Sequence, residues 1–212
     1  MSAIQIQQIV AERNIRRLVH FTPAQNLHSI SQNGILSVEA AASANIPITQ
    51  NDNERFDGHP NAISLSVSLP NYKMFYKCRV RDRLVDWAVV TLDVRLLWEL
   101  DCSFYPTNAA NAAMSCIHPS SLKCADSFAA LFEDNDLRKN QTLFKKDTTD
   151  VQAEVLVFET ISPDYITGMY FDRNSTRVKY PPVFKKISPK VASALFSKRE
   201  FVRNKQVRQA NG

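Results

Sequence analysis

The sequence predicts a mixed α+β fold, and three observations carry that reading. Apolar residues at Ile4, Ile6, Ile9, Val10 and Ile15 recur at helical spacing, so the chain opens on an amphipathic helix. From Ala62 to Leu69 the pattern changes to strict alternation, with Ile63, Leu65, Val67 and Leu69 on one face and Ser64, Ser66 and Ser68 on the other, as in a half-buried strand. The third observation is an absence. Glycine occurs only at Gly34, Gly58, Gly168 and Gly212, so neither GxGxxG nor GxxxxGK[ST] can be written anywhere in the chain. A bound nucleotide therefore needs another scaffold. No repeat or low-complexity tract is visible, and 212 residues suit one domain over 1–212, burying roughly 70% of the surface of its unfolded chain.

In chain order, Arg16 to Phe21 (RRLVHF) reads as a strand after the first helix. Pro23 suits a first helical turn, where its missing N–H has no partner to lose, and Asn33-Gly34 suits a stop, so Pro23 to Asn33 is expected to be a short helix. Trp87 to Asp93, Ala153 to Glu159 and Tyr165 to Asp172 have the β-branched content of strands. Further helices are expected near Ala109 to Ser115, Leu122 to Phe132 and Lys190 to Lys198. Glu133 to Asp150 holds five acids and four bases in 18 residues without a sustained apolar period, and is expected to be a surface loop of functional length.

No N-terminal basic patch leads into an apolar run, and no run reaches the length of a membrane span, so a cytoplasmic protein without membrane contact is expected. Cys78, Cys102, Cys116 and Cys124 lack the short spacing of zinc pairs, which predicts buried free thiols and no metal site. The net charge of +5 is unevenly spread: Thr176 to Gly212 holds ten basic residues against Glu200 alone, a balance of +9, leaving −4 for the rest. Such a tail fits a polyanion partner, because each neutralised phosphate releases counterions; a solvated C-terminal helix fits it as well.

Several residues are placed where chemistry is possible. Period two in Gln152 to Phe158 puts Glu154 on the face of Leu156 and Phe158, where a carboxylate needs either solvent at the strand end or a specific hydrogen bond. The same period puts His20 and Thr22 side by side at the end of an apolar strand, as core polar groups or as ligand contacts. Arg55 and His59 flank the turn at Asp57-Gly58. Tyr72, Phe75 and Tyr76 alternate with Lys73 and Lys77; the Tyr72 and Phe75 pair is spaced for one helix face, so core packing competes with base stacking there.

Taken in order, these pieces resemble the DarT family of NAD-dependent DNA ADP-ribosyltransferase toxins. The resemblance rests on His20-Phe21-Thr22 with Asn26-Leu27, Asn33-Gly34-Ile35-Leu36-Ser37, Arg55-Phe56-Asp57-Gly58-His59, the serine strand with Pro70-Asn71-Tyr72 and Met74-Phe75-Tyr76, Thr107-Asn108-Ala109-Ala110, and Gln152-Ala153-Glu154-Val155. It covers most of residues 4–172, and the basic tail matches weakly. It implies a split antiparallel sheet with surrounding helices, enclosing an NAD cleft that needs no glycine fingerprint. It implies Glu154 and Arg55 as catalytic, His20, Thr22, Asn26, Tyr72 and Arg55 as NAD-binding, and residues 133–150 as a mobile loop meeting the target base.

The residue types suit that reaction. Loss of nicotinamide leaves an oxocarbenium-like ribose, which a carboxylate can stabilise before accepting the acceptor's proton. Asp57-Gly58-His59 with Ser64, Ser66 and Pro70-Asn71-Tyr72 looks closer to the guanine-modifying branch than to the thymine-modifying one. By the same resemblance the substrate is single-stranded DNA, whose bases are reachable without unpairing, the partner is a macrodomain antitoxin, and the enzyme is a monomer. The alternatives are an NAD-dependent transferase acting on RNA or protein, and a non-catalytic nucleic-acid-binding module.

Overall fold

The computed structural model describes residues 3–50 and 58–210. Its strands are β1 (Leu18–Pro23), β2 (Ile63–Val67), β3 (Trp87–Leu92), β4 (Cys102–Tyr105), β5 (Glu154–Val157), β6 (Ile166–Phe171) and β7 (Pro189–Val191). They form one sheet in the order β4-β5-β2-β1-β3-β6-β7, antiparallel at every junction except β6–β7. The helices are α1 (Ala3–Glu12), α2 (Leu27–Asn33), α3 (Val38–Ser43), α4 (Tyr72–Arg81), α5 (Leu96–Glu99), α6 (Ala112–Ser115), α7 (Ala125–Ala130), α8 (Asp136–Lys139), α9 (Asn174–Arg177) and α10 (Arg199–Ala210). The arrangement is α+β.

Strand alternation distributes the core over both sides of the sheet. Leu18, Leu65, Val90, Val155 and Phe171 join Ile6 and Val10 of α1, Leu96 and Leu97 of α5, and Phe128 of α7 in the main cluster. On the other side, Val19 and Val89 pack with Phe75 and Cys78 of α4 and with Val202 of α10. A third, smaller cluster of Ala62, Tyr105, Ala109 and Leu156 covers the β4–β5 end. Covered on both sides, β3 is buried along its whole length, which is why it reads as a continuous apolar run rather than an alternating one.

Several expectations change in tertiary context. Pro23 closes β1, and Ala24–Asn26 forms a 3-10 turn before α2 begins at Leu27. Lys190 to Lys198 is not a helix: Pro189–Val191 pairs in parallel with Met169–Phe171 at the sheet edge, and Ser193–Phe196 is a 3-10 turn. The free edge of β6 competes there with helix propensity and wins. Strand β4, four residues long and buried throughout, is too short to show a period and owes its conformation to pairing with β5. The 133–150 segment holds α8, and its Asp147, Thr148 and Thr149 are buried, so its C-terminal third is packed rather than an open surface loop. Cys78 and Cys102 are buried as expected, Cys116 is exposed and Cys124 half-buried, and none of the four forms a disulfide. Among the described residues, no helix is long and apolar enough to cross a membrane.

Candidate active site

The sheet splits at one junction. β1 pairs with β3 from Leu18 to Pro23, but with β2 only at Leu18 and Val19. Beyond that point the backbones part, and at His20 a side chain spans the gap: Nδ1 donates to the Ser64 carbonyl at 3.1 Å. That bond places the proton on Nδ1 and makes Nε2 the acceptor of the neutral ring. A cavity of about 610 Å³ occupies the split. Ile30 and Ile35 of the main cluster line it, as do Met74 and Cys78 of α4, and His20, Thr22, Ser64 and Glu154 stand at the split itself.

Glu154 opens β5 opposite Tyr105 and is only 7% exposed. Burial of a carboxylate demands donors, and two are in place: the Ala109 N–H reaches Oε1 at 2.6 Å, and the Ser64 hydroxyl donates to Oε2. Ser64 pairs across strands with Leu156, two residues beyond Glu154, so the contact is the diagonal kind that strand alternation allows. The solvated strand-end reading of Glu154 therefore fails. Ser64 itself was visible in the sequence only as one of three alternating serines, and parity with Glu154 needed the strand pairing.

His20 and Thr22 both line the cavity. Thr22 is 2% exposed, and its hydroxyl accepts from Asn26 Nδ2 at 2.9 Å. Asn26 also clamps the backbone of Thr49, donating to its carbonyl at 2.8 Å and accepting from its N–H at 2.9 Å. Three contacts use both amide hydrogens and the carbonyl oxygen of Asn26, so it shapes the cavity by pinning the Ile48–Gln50 wall across it. Gly34 forms another part of that wall, where φ of +79° and an Ile161 carbonyl oxygen that any added Cβ would strike exclude a side chain.

Two expected site residues are not among those that line the cavity in the described structure. Arg55 lies outside the described residues. Tyr72 does not line the cavity: it is the first residue of α4, and the charge of Glu200 on α10 acts on its hydroxyl. Burial, reinforced by the Glu200 charge, pushes that phenol above its usual range. Asn71, whose side chain accepts from the Met74 N–H to cap α4, sets this phase; it turns Lys73, Lys77 and Arg81 to the cavity and Phe75 to the core, stacked on Phe21 at 4.5 Å. Their i, i+4, i+8 spacing is a helix-face signal that the sequence offered. With Glu154, they are the only members of the Asp, Glu, Lys and Arg set among the described lining residues.

A split antiparallel sheet with a donor-held glutamate at the fork has the ADP-ribosyltransferase fold of the DarT type. The DarT family model, described as ssDNA thymidine ADP-ribosyltransferase, matches residues 19–193, and the chain belongs to that family. Thermus sp. 2.9 DarT in complex with ADP-ribosylated ssDNA is similar with a TM-score of 0.60 and 11% identity, over 87% of this chain and 97% of that one. The same protein in complex with NAD+ gives a TM-score of 0.53 and 9% identity, over 87% and 98%. Thermosipho africanus DarTG in complex with ADP-ribose gives 0.55 and 16%, over 85% of this chain and 51% of that one, so this chain spans about half of its length. At these identities the structural likeness is one of fold. No curated protein sequence matches the chain.

Proposed function

We propose that this protein transfers ADP-ribose from NAD to a base of single-stranded DNA, releasing nicotinamide. The observation that carries the reading is Glu154, a buried glutamate held by Ser64 and Ala109 at the wall of a 610 Å³ cavity in a chain of the DarT family. A carboxylate offers about four acceptor positions, so a ribose hydroxyl can bond it alongside the Ser64 and Ala109 donors. As nicotinamide departs, its charge favours the cation developing on the ribose; it then takes the proton of the attacking base. His20 and Thr22 contact NAD in this reading, Asn26 holds the wall that encloses it, and Arg55 holds a phosphate or polarises the base.

The acceptor follows from two lines of support that differ. Asp57-Gly58-His59 and the residues grouped with it favour guanine, whereas the family description names thymidine. Incubation with NAD and short single-stranded oligonucleotides differing in one base, read by mass, tests both. A gain of one ADP-ribose on a guanine-containing strand alone supports guanine; gain on a thymine-containing strand alone replaces it with thymine. No gain on any strand sinks the reading. A macrodomain antitoxin is the partner implied by the resemblance, and its addition is expected to restore the mass of the unmodified strand.

A further inference from the structure

We infer that Arg199 and Arg203, on a C-terminal helix beyond the residues matched to the family, are positioning residues for Glu154, acting through Asp147 to Asp150 and Thr107. The inference rests on the catalytic role proposed for Glu154. Both arginines are buried, at 4% and 3% exposure, although they belong to the segment whose charge suggested phosphate contacts. Withdrawing a guanidinium from water is costly unless its donors are used, and here both terminal nitrogens of each are, Arg199 Nε alone being left without a partner among the described residues. Arg203 forks onto Asp147, with Nε on Oδ2 at 2.7 Å and Nη2 on Oδ1. Arg199 donates from Nη1 to the Thr148 carbonyl at 2.7 Å, and from Nη2 to Gln141 Oε1 at 3.0 Å and the Thr149 carbonyl at 3.3 Å. Two parallel bonds to one carboxylate require a planar fork that lysine lacks.

From this anchor two routes end on Glu154. Along the chain, the Thr148 hydroxyl donates to the Asp150 carbonyl at 2.7 Å, and Asp150 Oδ1 accepts the Gln152 N–H at 2.9 Å, two residues before Glu154. Across the chain, Asp150 Oδ2 accepts the Thr107 hydroxyl at 2.7 Å. Thr107 in turn lies two residues before Ala109, whose N–H bonds Glu154 Oε1. Asp150 thus ties together the two segments that fix the glutamate, and α10 holds the stretch of chain that leads into Asp150.

Kinetics and NMR of the full chain test the inference. Thr107→Val removes the hydroxyl at nearly constant volume, and kcat should fall about tenfold or more at a near-normal melting temperature. KM for NAD should stay within about twofold, because the loss is in the reacting geometry rather than in binding. Thr107→Ser should restore kcat. Wild-type kcat in Thr107→Val, or Thr107→Ser as slow as Thr107→Val, overturns the inference. For the helix, Asp147→Leu with Arg203→Met removes both charges together and leaves neither buried alone. Reduced kcat with unchanged KM in this folded variant supports the role of α10, and wild-type kcat refutes it. If it does not fold, Arg203→Lys, which keeps the charge but loses the fork, is judged by the same two outcomes. An arm independent of turnover reads the Ala109 amide by ¹⁵N NMR. Thr107→Val should move that resonance and the pH midpoint at which it responds to Glu154, and Thr107→Ser should not. An unmoved resonance overturns the inference, whereas a moved resonance in a protein that transfers nothing overturns the proposed function alone.

Discussion

A buried carboxylate persists only where the fold supplies donors, and at Glu154 these come from a neighbouring strand and a loop, Ser64 and Ala109. Glu154→Gln keeps the volume and one acceptor oxygen but loses the charge. Transfer is expected to fall by about 10²–10³-fold or more, and stability by only about 1 kcal/mol. Oligonucleotide mass and thermal melting measured side by side check this; wild-type turnover in the glutamine variant would remove Glu154 from the mechanism. Residue type alone did not reveal which arginines face inward. Arg199 and Arg203 share the tail with exposed Lys198, Lys205 and Arg208, and only the presence of Asp147 and the Thr148 and Thr149 carbonyls distinguishes them.

At the scale of elements, the Ile48–Gln50 wall is held to α2's entry through Thr49, whose backbone Asn26 bonds twice and whose hydroxyl accepts from Gln25. Asn26→Ala breaks two bonds to the Thr49 backbone, and KM for NAD is expected to rise about tenfold, equivalent to about 1.4 kcal/mol. Titration of NAD against initial rate measures it, and an unchanged KM would make the clamp irrelevant to binding. Helix α10 divides into a buried side and an exposed one, so charge removal there has two outcomes. Changing Lys198, Lys205 and Arg208 to glutamine should leave the melting temperature alone. If those residues meet phosphates, the log–log salt dependence of single-strand binding should flatten by about 0.7 for each phosphate no longer neutralised. A slope identical to wild type would move the DNA path to Lys73 and Lys77 on α4. Extending the change to Arg199 and Arg203 would confound the measurement, because a buried Asp147 would lose its partner.

For the whole molecule, the split between β1 and β2 leaves a cavity inside the fold, and a ligand that fills it must stabilise the folded state. With the Glu154→Gln chain, chosen so that NAD is not consumed, NAD at about 100 times its Kd should add about 2.7 kcal/mol of stability. A melting temperature independent of NAD concentration would contradict cofactor binding. The main apolar cluster takes in residues of both β1 and β2, so the opening lies within one continuous core and is built into the packing.

Local pattern was enough for the first helix, for the alternating β2, for the apolar β3 and for Glu154 sharing a face with Leu156, because periodicity is a property of neighbours in sequence. The order of motifs also pointed to the family, and glycine scarcity excluded the common nucleotide loops. Tertiary structure alone decided the rest. Strand β4 exists because β5 pairs with it, the 190–198 segment follows the edge of β6, and Asn71 sets the phase of α4 that turns Lys73, Lys77 and Arg81 to the cavity. Ser64 and Ala109, which hold Glu154, and Asp147 and Thr148, which hold the buried arginines, lie 45 or more residues from them along the chain. Hydrogen bonds and buried charges are satisfied in space, and no local pattern encodes which distant residue will meet them.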